Sequence, residues 1–302
     1  MELMNQKKCG YIAIVGRPNV GKSTLLNQIL GEKLSITCRK PQTTRHQIVG
    51  VKTTEDTQFV YVDTPGIHSN NKNALNFYMN KAATSIIDDV SIVLFLIEPD
   101  KWTDVEKQLI ERLAKLNSSV EVIVVINKDD TVKDKSNLLP VIQKISAVSD
   151  RFEVIPLSAK LGKGLPELEK LIESKLPESD FYFEEDTLTD RSEKFLVSEI
   201  IREKLMRSLG DELPYQLTVE VNQFKYDEIK KITDISASIV VERKQQKAMV
   251  IGKGGHKLKE VGTAARKDIQ EMLETKVYLQ LWVKVKEGWA SSESSLRNLG
   301  YS

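Results

Sequence analysis

The sequence predicts an α/β fold whose mostly parallel sheet is covered by helices, followed by a smaller α+β domain. Three observations carry this. Apolar runs alternate with helix-spaced segments from Tyr11 to Leu176, the pattern of parallel strands joined by crossover helices. Pro177 ends that pattern, and residues 178–190 are acidic and aromatic with neither a helical nor a strand period. From Arg191 onward the order changes to helix, two extended runs, helix and strand. With 302 residues, 40% of them hydrophobic, the chain can bury two cores. The expected division is a first domain over 1–178, a linker over 179–190 and a second domain over 191–302.

Taken in order, Tyr11-Ile12-Ala13-Ile14-Val15 reads as a buried strand and Leu25 to Leu30 as the helix that follows it. A polar, irregular segment runs from Glu32 to Arg45, then come extended runs over His46 to Thr53 and Thr57 to Val62. Apolar residues from Leu75 to Ile87 recur at helical spacing. Ile92 to Ile97 and Val120 to Ile126 read as central parallel strands. Between them lies a helix from Thr103 to Leu116, with Thr103 and Glu106 spaced as a capping box. A helix over Ser136 to Val148, a strand over Val154 to Leu157 and a helix over Leu165 to Leu176 complete the first unit. In the second, helices are expected over Ser192 to Leu209 and Lys257 to Leu273, and strands over Gln216 to Phe224, Asp234 to Arg243 and Val277 to Val285.

The stretch between the first strand and helix reads Gly16-Arg17-Pro18-Asn19-Val20-Gly21-Lys22-Ser23-Thr24. A glycine turn here lets successive N–H groups face a phosphate while the new helix adds its positive end, which defines a P-loop. Lys22 is expected to reach the outer phosphates and the Ser23 hydroxyl to hold Mg²⁺. Asp63-Thr64-Pro65-Gly66 ends a strand, where Asp63 can serve the metal through water and the Gly66 N–H the γ-phosphate. Asn127-Lys128-Asp129-Asp130 ends another strand, and Asp130 is placed to accept from N1 and the 2-amino group of guanine. Adenine lacks that pair of donors, so a kinase using ATP is disfavoured. Ser158-Ala159-Lys160 follows the last strand, with the Ala159 N–H directed to the guanine O6. Order and spacing together specify a P-loop GTPase using GTP/GDP and Mg²⁺.

These residues resemble the Era family of translation-factor-like GTPases: Gly-x-Pro-Asn-Val-Gly-Lys-Ser, Gln42-Thr43-Thr44-Arg45, Asp-Thr-Pro-Gly and Asn-Lys-x-Asp occur here in full. The resemblance covers essentially the whole chain. It aligns Gln42 to Arg45 with the first switch and implies that a threonine hydroxyl there completes the Mg²⁺ shell, Thr44 in preference to Thr43. Asn19 resembles the P-loop asparagine that coordinates potassium in related GTPases, although an asparagine also suits a tight turn. Many GTPases place a glutamine after the Asp-x-x-Gly glycine to orient water. Here that position is Ile67, so slow hydrolysis is expected to rest on Lys22, Mg²⁺, Thr44, the Gly66 backbone and Asn19 with potassium.

In the second domain Ile251-Gly252-Lys253-Gly254-Gly255 carries a Gly-x-x-Gly loop ahead of a helix. Such a loop clamps a single-stranded backbone in KH domains. Arg243, Lys244, Lys247, Lys253, Lys257, Lys259, Arg266 and Lys267 oppose only Glu260 between 243 and 267, in a chain of net charge +1. The order of elements resembles a type II KH fold, as in Era. The RNA contacts are expected at Ile251, Gly252, Lys253, Gly254, Gly255, Lys257 and Lys259. The resemblance implies that the RNA is the 3′ end of small-subunit ribosomal RNA and that the role is small-subunit assembly. A membrane-surface regulatory GTPase whose basic patch meets lipid or protein is the alternative.

Composition narrows the setting. Cys9 and Cys38 are the only cysteines, which argues for a reducing compartment and against structural zinc. His46 and His68 lie in unrelated motifs, and Trp102, Trp282 and Trp289 are expected to pack internally. The apolar runs are too short for a signal peptide or a membrane span. A cytoplasmic monomer is expected, with room for peripheral contact at the inner membrane.

Overall fold

The computed structural model describes residues 6–67, 74–210, 213–299 and 301. The chain divides between Asp190 and Arg191 into two compact units. His68 lies outside the described residues.

The first unit is built on a six-stranded sheet: β1 (Lys8–Gly16), β2 (Ile48–Thr53), β3 (Thr57–Asp63), β4 (Ile92–Ile97), β5 (Glu121–Ile126) and β6 (Glu153–Pro156). Their spatial order is β2-β3-β1-β4-β5-β6, with β2 alone antiparallel to its neighbour. All six residues of β4 are buried, as a strand covered on both faces must be. Each such aliphatic side chain contributes about 1.5–3 kcal/mol. Helices α1 (Lys22–Leu30), α2 (Ala74–Ser85), α3 (Asp104–Leu113), α4 (Leu139–Ser146) and α5 (Leu165–Lys175) connect the strands. The Thr103 N–H donates to the Glu106 carboxylate at 2.9 Å, so the expected cap of α3 forms.

Two expectations change here. The helix expected over 136–148 splits into a 3₁₀ turn, Lys135–Leu138, and α4. Pro140 has no N–H to offer Ser136, and its ring would meet that carbonyl, so proline is accepted only in the first turn of a new helix. Residues 178–189 are irregular, as expected, but they are tied to the first unit and do not hang free. Gln58 accepts from the N–H groups of Tyr182 and Phe183 at 2.9 and 3.0 Å, and Val51 N–H donates to Leu188 O at 2.8 Å. Tyr182 also stacks on Tyr11. Buried Gln58 satisfies the segment's backbone.

The second unit has a three-stranded sheet ordered β7 (Leu217–Asp227), β8 (Ile232–Val241), β9 (Lys276–Val285), with β7–β8 antiparallel and β8–β9 parallel. Helices α6 (Glu193–Ser208), α7 (Lys244–Ile251) and α8 (His256–Leu273) supply Val197, Ile201, Val250, Val261, Ala265 and Ile269 to one core with Ile235, Ile239 and Val283. The sequence reading missed α7. Its polar residues, Lys244 to Lys247, all precede its apolar ones, Ala248 to Ile251, so no helical period shows, and only Val250 and Gln246 are buried; Gln246 accepts from the N–H groups of Glu242 and Arg243, both at 2.9 Å, to start the helix. The order is therefore α-β-β-α-α-β. After β9, Trp289 is fully buried and α9 (Glu293–Asn298) leads to Tyr301, whose hydroxyl lies 3.2 Å from Thr218 Oγ1. Trp282, expected to pack, is 59% exposed.

Candidate functional site

The phosphate loop follows directly from the end of β1. Asn19 takes a positive φ of 64° and donates through Nδ2 to Arg39 O at 2.9 Å. Val20 is buried, Arg17, Pro18 and Gly21 are half-buried, and Lys22, Ser23 and Thr24 form the first turn of α1. The Lys22 ammonium donates to Gly16 O at 3.0 Å and Arg17 O at 2.9 Å, so it is folded back over the loop. Burial lowers its pKa to about 8, with nearby Asp63 opposing the shift. Burial also raises the Asp63 carboxyl above its usual value, against Lys22 and three hydroxyl donors.

Those hydroxyls define a small polar centre. Ser23 Oγ donates to Asp63 Oδ2 at 2.7 Å and lies 2.8 Å from Thr44 Oγ1; Thr44 itself is 3.4 Å from the same carboxylate oxygen. Ser35 Oγ adds a third donor at 3.0 Å. Oδ1 of Asp63 is buried without a hydrogen-bond partner among the described residues. A buried carboxylate oxygen left unpaired is costly, and two hydroxyls with a carboxylate are the oxygen donors that Mg²⁺ takes. The residues fit that ion. Thr43 Oγ1 turns instead to Lys40 O at 2.7 Å, which separates the two threonines.

At the end of β3, Thr64 Oγ1 donates to Ile14 O at 2.8 Å and pins the Asp-Thr-Pro-Gly turn to the first strand. A Cβ on Gly66 would lie 2.7 Å from the Pro18 backbone, so only glycine brings this turn, with Pro65, against the phosphate loop. Ile67 is half-buried against the core and its N–H donates to Gly16 O at 3.3 Å. It presents no group that holds water.

Asn127 and Lys128, at the end of β5, converge on the same loop. Asn127 Nδ2 donates to Val20 O at 2.7 Å, and its Oδ1 accepts from Ala159 N–H at 2.9 Å. Lys128 donates to Asn19 O at 2.8 Å and pairs with Glu98. Asp129 is buried and paired with Lys135 at 2.8 Å. Asp130 is exposed, and its Oδ1 accepts from Ser158 Oγ at 2.5 Å, which orients the carboxylate; Lys160 is exposed beyond. The sequence reading missed Ser35, Glu98 and Glu106, the last buried and paired with Arg17. These partners lie 28 to 89 residues from the groups they hold, so no local spacing marks them.

In the second unit the loop between α7 and α8 contains Gly252, Gly254 and Gly255, all at positive φ (73°, 60° and 77°). A Cβ on Gly252 would meet Lys257 Cβ at 2.8 Å, whereas Gly254 and Gly255 face open space. Ile251 anchors the loop to the core, Lys253 and Lys259 are exposed, and Lys257 is half-covered. Among the described residues no cluster of His, Cys, Asp and Glu is arranged for a metal, and no helix is long and apolar enough to cross a membrane.

Fold and site together define a P-loop guanine-nucleotide protein joined to a KH unit. The family described as 50S ribosome-binding GTPase matches residues 11–128, and the KH domain family matches residues 212–290. GTPase Era of Pseudomonas aeruginosa is 50% identical over 294 residues, 97% of this chain and 95% of that protein. GTPase Era of Ectopseudomonas mendocina is 50% identical over 97% of both chains. A structure of Era in complex with MgGDPNP and nucleotides 1506–1542 of 16S ribosomal RNA superposes with a TM-score of 0.93 at 38% identity, covering 98% of this chain and 99% of that one. Aquifex aeolicus Era bound to GDP·AlF4− gives the same TM-score, identity and coverage. The chain belongs to the Era family and is a GTPase.

Proposed function

We propose that this GTPase is a slow molecular switch that holds the 3′ end of small-subunit ribosomal RNA in its KH unit and acts in small-subunit assembly. The observation that carries the RNA reading is the three-glycine loop at positive φ set among eight basic residues. The RNA bound by the similar Era structure supports the identity of the strand. Gly16 to Thr24, Asp63 to Ile67, Asn127 to Asp130 and Ser158 to Lys160 are the proposed nucleotide contacts. Ser23, Thr44 and Asp63 are the proposed holders of Mg²⁺, which neutralises charge on the transferring phosphoryl group when bound. Lys22, Thr44, the Gly66 N–H and Asn19 are assigned to hydrolysis by positioning and charge, since Ile67 supplies no base. Ile251 to Gly255, Lys257 and Lys259 are assigned to RNA. The proposed domains are 1–178 and 191–302, with 179–190 between them. The chain is assigned to the cytoplasm as a monomer. Co-sedimentation with anionic vesicles tests the further assignment of peripheral inner-membrane contact.

Titrating the 3′-terminal RNA into the GTP-analogue, GDP and empty forms at one salt concentration tests the switch. RNA is expected to bind about 5- to 100-fold more tightly to the GTP form, and RNA must tighten GTP by the same factor. Equal affinities in all three forms would remove the coupling.

The potassium role extends this proposal to Asn19. Hydrolysis is expected to run faster in potassium than in sodium, and Asn19→Ala is expected to erase that difference while GTP still binds. Parent protein indifferent to the two cations would leave Asn19 as a turn residue, for which its φ of 64° is suited.

A further inference from the structure

Strand β9 lies at the edge of the KH sheet, and its residues alternate between two environments. Val277, Leu279, Leu281, Val283 and Val285 face the core beneath the helices, and Gly262 of basic helix α8 lies directly over Leu281. The opposite face shows Lys276, Tyr278, Gln280, Trp282 and Lys284, every one exposed. Tyr278 and Trp282 are 54% and 59% exposed, four residues apart on one strand face. That spacing sets the rings about 13 Å apart.

The neighbouring strand leaves room for them. Ser236 and Ser238 sit opposite Gln280 and Trp282 in the parallel register, so the rings stand over a low, polar floor. The acids of this face, Glu220, Asp227 and Asp234, belong to β7 and β8; Asp227 pairs with Lys230, and Gln223 donates to Asp234 at 3.2 Å. Strand β9 itself offers a lysine at each end and no acid. Tyr301 docks at Thr218, and Ser238 and Val240 of β8 are buried on this face, whereas the outward residues of β9 are exposed.

We propose that this outer face of β9 is a second stacking platform for single-stranded RNA, taking bases on Tyr278 and Trp282 and phosphates on Lys276 and Lys284. Aromatic side chains on an open sheet, interleaved with cations, bind strands with little sequence preference. Protein interfaces also use exposed rings but are depleted in lysine, whereas here Lys276 and Lys284 flank the rings and Gln280 lies between them. The platform also answers a question of length. A Gly-x-x-Gly loop clamps four nucleotides, whereas the RNA in the similar Era structure runs from 1506 to 1542. Because β9 carries basic helix α8 on one face and the rings on the other, a strand leaving the loop has this edge to pass around.

The inference rests on the KH reading, and the test separates the two. Full-length protein loaded with GDPNP is titrated at fixed salt with two RNA oligonucleotides from the 3′ end, one of roughly six nucleotides, which fills the loop groove, and one of roughly sixteen. Tyr278→Ala and Trp282→Ala are each expected to weaken the long RNA by about 5-fold or more while leaving the short RNA within 2-fold. Trp282→Phe, which keeps a ring, is expected to restore most of the long-RNA affinity. Parent protein that binds neither oligonucleotide would fail the KH reading. Parent protein that binds both equally, or variants that leave the long RNA unchanged, would overturn the platform. Loss of binding to whole small subunits with unchanged long-RNA affinity would assign the face to a protein and overturn it too.

Discussion

Asp130→Asn is expected to lower GTP affinity by about 10²- to 10⁴-fold and to raise affinity for xanthosine triphosphate. The carboxylate can accept both the N1 and the 2-amino N–H of guanine, and two charge-assisted hydrogen bonds are worth about 3–6 kcal/mol together. An amide in its place keeps one acceptor and offers a donor, which is what xanthine's N1–H and 2-oxo group require. Ser158 Oγ, 2.5 Å from Asp130 Oδ1, can still hold the amide oxygen, so the substitution changes the hydrogen-bond pattern and little else. Asp130 is exposed, so no core packing is disturbed. Competition between the two triphosphates for the parent and the variant checks this. An unchanged GTP preference would remove Asp130 from base recognition and return the role to the backbone around Ala159.

The nucleotide site was legible because its chemistry is local. Backbone N–H groups at a glycine turn, a lysine and a serine at fixed offsets, and strand ends carrying Asp63 and Asn127 are all specified by spacing along the chain. The second layer was not. Ser35 reaches Asp63, Glu98 holds Lys128, and Glu106 holds Arg17 only because the strand order brings remote segments together. The choice of Thr44 over Thr43 rests on resemblance; in the structure Thr44 Oγ1 lies 2.8 Å from Ser23 Oγ and Thr43 Oγ1 donates to Lys40 O.

The misses elsewhere have separate physical origins. Helix α7 runs from four polar residues into four apolar ones, which shows no helical period, and its start is fixed by Gln246. Residues 178–189 look like a tether because their composition is acidic, yet the buried amide of Gln58 and the backbone of β2 hold them. Trp282 is expected to pack internally; strand alternation in β9, with Val283 buried beside it, points it outward.

Replacing Lys253 and Gly254 together by aspartate is expected to weaken RNA binding by about 100-fold and to leave GTP affinity and basal hydrolysis unchanged. The change moves the loop by three charges, and each is worth about 1 kcal/mol against a phosphate 4 Å away in water. The site tolerates it structurally. A Cβ on Gly254 meets nothing within 4 Å, and its φ of 60° lies where aspartate is among the better tolerated residues. Gly252 offers no such test, because a side chain there collides with Lys257 and would report on folding. Losing a lysine contact should also flatten the dependence of affinity on salt, by about 0.7 in log–log slope for each phosphate no longer neutralised on a single strand. Measuring RNA affinity across a salt series for both proteins separates this charge effect from misfolding, which would lower binding without a matching change in slope. RNA affinity and slope equal to those of the parent would move the strand away from the Gly252 to Gly255 loop.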